Sequence, residues 1–170
     1  MKHLARLLSL LILVSAGIFF ASCGGGGGND KTEEELQLDK LKGTWTLTES
    51  SVKFGGSTDD RFDGSALKLT IAGTYSAGGK YTYSLTTSKQ VNASPWKGAG
   101  NWKFNPAAVS SNIIRLDSEF GDGSQDVSIT YSLSSDAKTL TMDFTYSGTG
   151  YVLGARTESV SGDWTFVFTK

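Results

Sequence analysis

The chain has little of the side-chain chemistry on which enzymes and metal sites most often depend. Its 170 residues include one histidine, one cysteine and two prolines. The histidine, His3, lies in an N-terminal segment that we expect to be removed, which would leave a mature chain without imidazole. Ser-His-Asp and Cys-His catalytic groups and the usual zinc sites are then excluded. We therefore expect no enzyme activity, no metal and no cofactor.

An excess of charge of one sign is also lacking. The formal net charge at pH 7 is −1, and 14 basic against 17 acidic residues follow position 22. The basic residues stand singly along the chain, whereas a protein that binds nucleic acid needs clustered Lys and Arg to displace counterions. We therefore expect no nucleic-acid partner.

The one long apolar run stands near the N-terminus. Lys2 and Arg6 precede the run Leu7 to Ala21, which is shorter than the roughly 20 residues that span a bilayer. The run ends in Ala21-Ser22-Cys23, which resembles the lipobox of bacterial lipoproteins, with small residues before an obligatory cysteine. We expect residues 1–22 to be a signal peptide and Cys23 to be lipidated. The alternative is an ordinary secretory signal followed by a chance cysteine.

A flexible segment follows the cysteine. Five glycines, 24–28, precede an acidic stretch that ends at Glu35, and residues 23–40 are predicted to be a tether. The acidic stretch resembles the export tags of surface-exposed Bacteroidetes lipoproteins. We expect a lipid-anchored protein of the outer membrane, displayed at the cell surface or facing the periplasm.

One short helix is predicted before the strands begin. Thr32 followed three residues later by Glu35 fits a capping box. We expect a helix over residues 33–41, with Leu38 and Leu41 on its buried side.

From residue 41 to residue 170 the apolar residues alternate with polar ones, which is the pattern of strands with one buried and one solvated face. Clusters of Gly, Asn, Asp and Ser separate the strands. The predicted inward positions are Trp45 and Leu47; Leu67, Leu69 and Ile71; Tyr81, Tyr83 and Leu85; Trp102 and Phe104; Ile114 and Leu116; Val127, Ile129, Tyr131 and Leu133; Leu140, Met142, Phe144 and Tyr146; and Trp164, Phe166 and Phe168.

About eight antiparallel strands of this kind can close into an up-and-down barrel or pack as a β-sandwich. Alternation alone does not choose between them. We predict an all-β domain over residues 41–170, and we favour the barrel because of the resemblance that follows.

Three strands open with glycine-x-tryptophan: Gly43-Thr44-Trp45, Gly100-Asn101-Trp102 and Gly162-Asp163-Trp164. We interpret the recurrence as common strand-entry chemistry, because the segments between the copies do not align.

The first copy, with a short helix before it, resembles the signature of the lipocalins, and the ending over residues 157–170 looks like the closing strand of lipocalin-like lipoproteins of the Bacteroidetes. The resemblance implies an eight-stranded barrel with Trp45 packed across its closed end. The Thr-Asp-Tyr motif of true lipocalins is absent, as is their arginine near the end of the last strand. Lys170 or Arg115 could cover Trp45 in place of that arginine.

The inward aromatic residues are the candidates for a ligand-lining surface or a core. Interior aromatics are more often core than cavity wall, since a barrel of eight strands holds filling side chains or one small ligand. Trp96, Tyr75, Phe54 and Tyr151 are expected nearer loops or rims. The candidates are Trp45, Tyr81, Tyr83, Trp102, Tyr131, Phe144, Trp164 and Phe166.

Two functions remain from these observations. The first is a membrane-anchored binding lipoprotein that takes a small apolar or amphipathic ligand, which requires a cavity. The second is a surface accessory or structural protein that binds a protein or glycan partner, with a packed interior and an exposed aromatic patch. A carboxylate enzyme would need two converging acids.

Two acidic loops are candidates for calcium or carboxylate sites, and both are more typical of solvated turns. Neither has the spacing of an EF-hand loop. The first group is Asp59, Asp60 and Asp63, and the second is Glu119, Asp122 and Asp126.

Overall fold

The computed structural model describes residues 30–89, 91, 93–118, 121, 123–148, 151 and 160–170. The predicted signal peptide, Cys23 and the glycine tract lie outside the described residues, so what is expected of them stays a prediction. Residues 31–170 form one compact unit. In the part of the chain that is described, no helix combines the length and the apolar character needed to cross a membrane.

The unit begins with helix α1 (Glu33–Leu41). Thr32 caps it, because its hydroxyl accepts a hydrogen bond of 3.2 Å from the backbone N–H of Glu35. Leu38 and Leu41 are fully buried beneath the helix. The predicted helix, its Thr32 cap and its buried face are confirmed.

Ten strands follow, and every pair of neighbours is antiparallel. Eight of them form a closed barrel in the order β1-β4-β5-β6-β7-β8-β9-β10, and pairing of β1 with β10 closes it. The lipocalin-like up-and-down barrel is therefore confirmed and the sandwich is not formed. The strands are β1 (Gly43–Leu47), β2 (Lys53–Phe54), β3 (Ser57–Thr58), β4 (Lys68–Ala72), β5 (Tyr81–Thr86), β6 (Ala99–Phe104), β7 (Asn112–Leu116), β8 (Val127–Leu133), β9 (Thr139–Tyr146) and β10 (Gly162–Thr169).

The short hairpin β2–β3 is an addition to the eight-stranded barrel that the alternation does not predict. It pairs with β10, with Phe54 opposite Trp164. Their rings lie 4.6 Å apart, and the guanidinium of Arg61 stacks over both. The hairpin therefore extends the sheet beside the first half of β10 and packs Phe54 against Trp164 on the same face.

The predicted alternation holds along most strands. In β9 the side chains of Leu140, Met142, Phe144 and Tyr146 are buried while Asp143 and Thr145 are exposed. A leucine-rich and aromatic core fills the interior.

Strand β7 corrects the predicted inward set. We expected Ile114 and Leu116 to point inward, but Ile113 and Arg115 are the buried pair and the other two are half-buried. Apolar residues stand on both faces of this strand, so its period does not determine which face is buried. The charged side chain of Arg115 can be buried on this face, because it forms an ion pair with Asp117 inside the barrel.

Two of the three glycine-x-tryptophan segments share one local structure. The indole N–H of Trp45 donates to the carbonyl of Leu41, and that of Trp164 donates to the carbonyl of Val160, four residues earlier in each case. The glycine between them has a positive φ in both copies, 123° and 149°. Trp102 differs, since its indole N–H reaches across to the carbonyl of Thr82.

The barrel has two ends of different character. The helix end carries α1 and the turns that follow β4, β6 and β8. There Lys170, and not Arg115, covers Trp45, with its ammonium 4.1 Å from the ring centre. The opposite end carries the connections that follow β5 and β7. We call it the plugged end, because buried residues of the connection after β5 fold into the barrel there.

Candidate binding site inside the barrel

The connection between β5 and β6 folds into the barrel. Its described residues 91 and 93–96 are all buried, and we call them the plug segment. The ring of Trp96 enters the interior and is 2 % exposed. It packs edge-on against Tyr83, Phe144 and Phe166, with ring centres 5.2–5.9 Å apart. Trp96 thus occupies space that would be hollow in an open barrel. It belongs to a connecting loop, which is one of the two expected places, but its ring lies inside the barrel and not at the rim.

Among the described residues, Ser94 makes the hydrogen bonds that hold the plug segment. Ser94 exchanges two backbone hydrogen bonds with Tyr151, of 3.1 and 2.8 Å, and its hydroxyl accepts one from the N–H of Trp96. Ala93 has φ of 53°, a left-handed conformation that is uncommon for a residue with a side chain. Such strain persists only where the surrounding structure enforces it, and it is concentrated at functional sites.

A buried ion pair lies directly beside Trp96. The Nε and Nη2 atoms of Arg115 donate to Oδ2 of Asp117 at 2.9 and 2.6 Å. The two side chains are 1 % and 2 % exposed. The guanidinium also stacks over the ring of Trp96, with its carbon 4.9 Å from the ring centre. An ion pair so deep in the barrel needs partners for its remaining polar atoms.

Four buried polar atoms in and around this ion pair have no hydrogen-bond partner among the described residues. They are the hydroxyl of Tyr83, Nε1 of Trp96, Nη1 of Arg115 and Oδ1 of Asp117, and we call these four residues the polar cluster. The other three tryptophans each donate their indole N–H to a carbonyl. A buried polar atom without a partner costs about 1–3 kcal/mol, so four in one place need an explanation.

A small cavity adjoins the cluster. Its volume is about 10 Å³, which is about the space of one water molecule. Tyr83, Trp96 and Arg115 line it together with Ile71, Ile129 and Met142, and the surface that these residues present to it is apolar. The barrel therefore has no room for a ligand larger than water while Trp96 stays in place.

Burial affects the titration of the tyrosines near this site. Removal of the hydroxyl from water raises the pKa of Tyr83 well above its ordinary value, and the nearby guanidinium of Arg115 partly opposes this. The same loss of hydration raises the pKa of Tyr151. Both hydroxyls therefore stay protonated, and Tyr83 is a hydrogen-bond donor across the physiological range.

The eight aromatic residues predicted to line a ligand or form a core are all buried, but they do not form one site. Tyr83, Phe144 and Phe166 surround Trp96, and Trp102 lines the small cavity. The other four lie elsewhere. Trp45 lies under Lys170, and Trp164 packs against Phe54 of the β2–β3 hairpin. The hydroxyl of Tyr81 donates a hydrogen bond to Glu34, and that of Tyr131 donates one to the carbonyl of Val109.

Sequence reasoning missed Trp96, Arg115 and Asp117. A charged residue in an apolar strand, with an opposite charge two positions later, was the available signal, since residues i and i+2 share one face of a strand.

The two acidic loops do not form an ion site in the described residues. Asp59 is held by the guanidinium of Arg61, and Asp63 accepts hydrogen bonds from the N–H and hydroxyl of Ser50. Asp126 accepts from the N–H of Ser118. No group of three or more His, Cys, Asp or Glu in the described part of the chain is placed to hold a metal. Glu119 and Asp122 lie outside that part.

No protein-family model matches this chain, and no curated protein matches its sequence. The fold alone therefore defines its class, a closed eight-stranded antiparallel barrel of lipocalin-like topology with a short helix at one end.

Proposed function

We propose that this protein is a membrane-anchored lipoprotein, held by a lipidated Cys23 in the outer membrane, whose barrel binds a small amphipathic molecule at the plugged end. One observation carries the binding proposal. Four neighbouring side chains that are at least nine-tenths buried each carry a polar atom without a partner among the described residues. A fold that served only to pack would be more stable with apolar residues there.

The amphipathic character of the ligand follows from the composition of the wall. Ile71, Ile129 and Met142 offer apolar contact, while Tyr83 and Arg115, which also line the cavity, each hold a hydrogen-bond donor without a partner. Specific pockets are built in this way, with a mostly apolar lining and a few placed polar groups. Binding requires that the ligand displace Trp96.

A second candidate is the surface accessory protein, and the filled interior favours it. An open, mostly polar cleft of about 480 Å³ lies outside the barrel, with Ser128, Thr145 and Tyr146 among its lining residues. The exposed aromatic patch expected for this function is not formed by the described residues, in which Leu36 is the one large apolar side chain that is exposed. The polar cluster has no role in this candidate.

Native mass spectrometry of the protein purified from its own host distinguishes the two. We expect a stoichiometric small molecule besides the anchor. The protein with Trp96→Phe should keep that molecule, since Tyr83, Arg115 and Asp117 are unchanged, while Arg115→Met should lose it. A co-purifying protein or glycan without any small molecule would support the second candidate instead.

The anchor is tested separately. Cys23→Ser should abolish labelling by palmitate and release the protein from the membrane fraction, because no acceptor thiol remains. Ser22→Ala keeps a small residue beside the cysteine and should leave the protein attached. A Cys23→Ser protein that stays in the membrane fraction would contradict the anchor.

A further inference from the structure

Strand β10 has two different neighbours along one of its sides. Its second half pairs with β1, where Phe168 stands opposite Leu47. Its first half pairs with β2, where Trp164 stands opposite Phe54. Among the described residues, the β2–β3 hairpin is what completes the hydrogen bonding of that first half. Without the hairpin, the barrel would keep an open strand edge there.

The backbone groups that β2 covers can be assigned. The N–H of Gly55 donates to the carbonyl of Asp163 at 2.9 Å. In an antiparallel sheet, the backbone groups of every second residue point to the same neighbouring strand. Those of Thr165 therefore also face β2, while those of Trp164 face β9. We call the N–H and carbonyl groups of Asp163 and Thr165 the β10 edge.

The sequence of β10 makes this edge attractive to another chain. Its residues 164–168 are all aromatic or β-branched, the types with the strongest preference for strands. A long edge of such residues invites the addition of a foreign strand, and native proteins cover such edges or end them in very short strands. The hairpin does both, because the sheet now ends at β3, which has two exposed polar residues, Ser57 and Thr58.

The hairpin is encoded locally and fastened to the barrel. Gly55 and Gly56 form its two-residue turn with φ of 57° and 83°, as a type I′ turn requires. The ring of Phe54 packs on Trp164, and the guanidinium of Arg61 stacks over both rings, 5.2 and 4.9 Å from their centres. A hairpin of this length is not stable alone. These contacts therefore decide whether the β10 edge stays covered.

We propose that the β2–β3 hairpin is a built-in guard that prevents the β10 edge from pairing with the β10 edge of a second copy of this chain. A second copy fits because a strand that pairs antiparallel with its twin gives a closed two-fold dimer. With Trp164 opposite its twin, each Asp163 would face a Thr165. Thr145 and Asp163 already form the same kind of cross-strand pair within the barrel. The guard does not depend on whether the barrel binds a ligand.

Excision of the hairpin tests this directly. The N–H of Asp59 donates to the carbonyl of Val52 at 2.9 Å, so these two residues already stand side by side at the base of the hairpin. Residues 53–58 can therefore be replaced by Asn-Gly, which closes a hairpin as a two-residue turn. All proteins comprise residues 23–170 with Cys23→Ser, so that neither a lipid nor a disulfide joins two copies. In sedimentation equilibrium we expect the excised protein to have twice the mass of the unaltered one.

A second change separates strand pairing from exposure of the Trp164 ring, which excision also uncovers. Thr165→Pro removes an N–H of the β10 edge and none that faces β9, and proline is found on edge strands for this reason. Added to the excised protein, it should restore the mass of the unaltered one. Thr165→Val keeps the N–H and is the matched control, which should stay dimeric. A folded excised protein of unaltered mass, or a dimer that persists with Thr165→Pro, would overturn the proposal.

A variant that keeps every backbone residue decides the matter if the excised protein does not fold. Phe54→Ser together with Arg61→Met removes both contacts that fasten the hairpin, and circular dichroism verifies the fold. We expect a dimer whose share rises with protein concentration. Lys53→Met together with Thr58→Ser changes two exposed positions of the same hairpin and should not associate. Equal masses of the two double variants at every concentration would refute the guard.

Discussion

The ammonium group of Lys170 lies over the ring of Trp45, 4.1 Å from its centre. The same group donates hydrogen bonds of 2.8 Å to the carbonyl oxygens of Lys40 and Lys42 at the end of α1. One cation therefore ties the last strand to the first strand and to the helix. It takes the place that the lipocalin resemblance gives to an arginine.

Replacing Lys170 by methionine should loosen this end of the barrel. Lys170→Met keeps most of the apolar stem but removes the charge and both hydrogen bonds, so we expect the free energy of unfolding to fall by roughly 1–3 kcal/mol. Urea unfolding followed by tryptophan fluorescence measures it. Lys80→Met, at an exposed turn, is the control and should lie within about 0.5 kcal/mol of the unaltered protein.

Gly162 should tolerate a side chain poorly. Its φ is 149°, and a Cβ there would stand 2.6 Å from Cε2 of Phe54. Gly162→Ala should therefore displace the β2–β3 hairpin and lower the midpoint of thermal unfolding, with a cost of about 2 kcal/mol or more. Gly98→Ala, where a Cβ meets nothing within 4 Å, is the matched control. An equal shift for both variants would contradict the steric account.

Removal of Arg115 should be far more damaging than removal of both members of its ion pair. Arg115→Met leaves the carboxylate of Asp117 buried and uncompensated, at an expected cost of about 3–5 kcal/mol. The double variant Arg115→Met with Asp117→Asn should recover most of this loss. Equilibrium unfolding of both variants gives the comparison, and a double variant no more stable than the single one would disprove the reasoning.

Arg61→Met serves as the control for that comparison. Arg61 also pairs with an aspartate, Asp59, but the two side chains are 18 % and 10 % exposed. Water can hydrate the remaining carboxylate, so the loss of stability should be smaller than for Arg115→Met.

The protein should lose stability at alkaline pH. Burial raises the pKa of Tyr81 to about 12, and it raises the pKa values of Tyr83 and Tyr131 further above their ordinary value of 10.0. The unfolded chain releases these protons at lower pH than the folded one, so the stabilisation present below pH 10 declines as pH rises through 10 and beyond.

Absorbance of ionised tyrosine against pH, recorded beside circular dichroism, tests this. Ionisation of the buried tyrosines should coincide with loss of the fold. Tyr83→Phe should reduce the slope of stability against pH while leaving stability at neutral pH unchanged or higher, because the hydroxyl it removes has no partner. Full tyrosine ionisation in a protein that stays folded would refute the prediction.

The fold was largely predictable, because helix caps and the alternation of strands are local and periodic features of the sequence. Thr32 and Glu35 indicated α1, and alternation such as Leu140, Met142 and Phe144 indicated strands with one buried face. Closure into a barrel was not contained in that pattern. It depends on the pairing of Leu47 with Phe168, two residues at opposite ends of the domain.

The candidate site was predictable only in part. The inward direction of Tyr83 and Phe144 followed from the period of their strands, but the position of Trp96 did not, because it belongs to a connection with no period. The alternation of Ile114 and Leu116 predicted the wrong inner face of β7, because Ile113 and Arg115 are the buried pair. The buried charge of Arg115 is compensated by Asp117, and the opposite charges two residues apart were the sequence signal for it.

The seam between β1 and β10 has a consequence for how the domain is made. Only two residue pairs join the strands there. Strand β10 is the last strand of the barrel to leave the ribosome. The interior cannot be sealed from water until that strand has arrived, so closure is a late and slow step that brings together distant parts of the chain. Until then β1 and β9, the two strands that β10 will join, offer free edges to other chains, and this is the interval in which a nascent molecule is most exposed to misassembly.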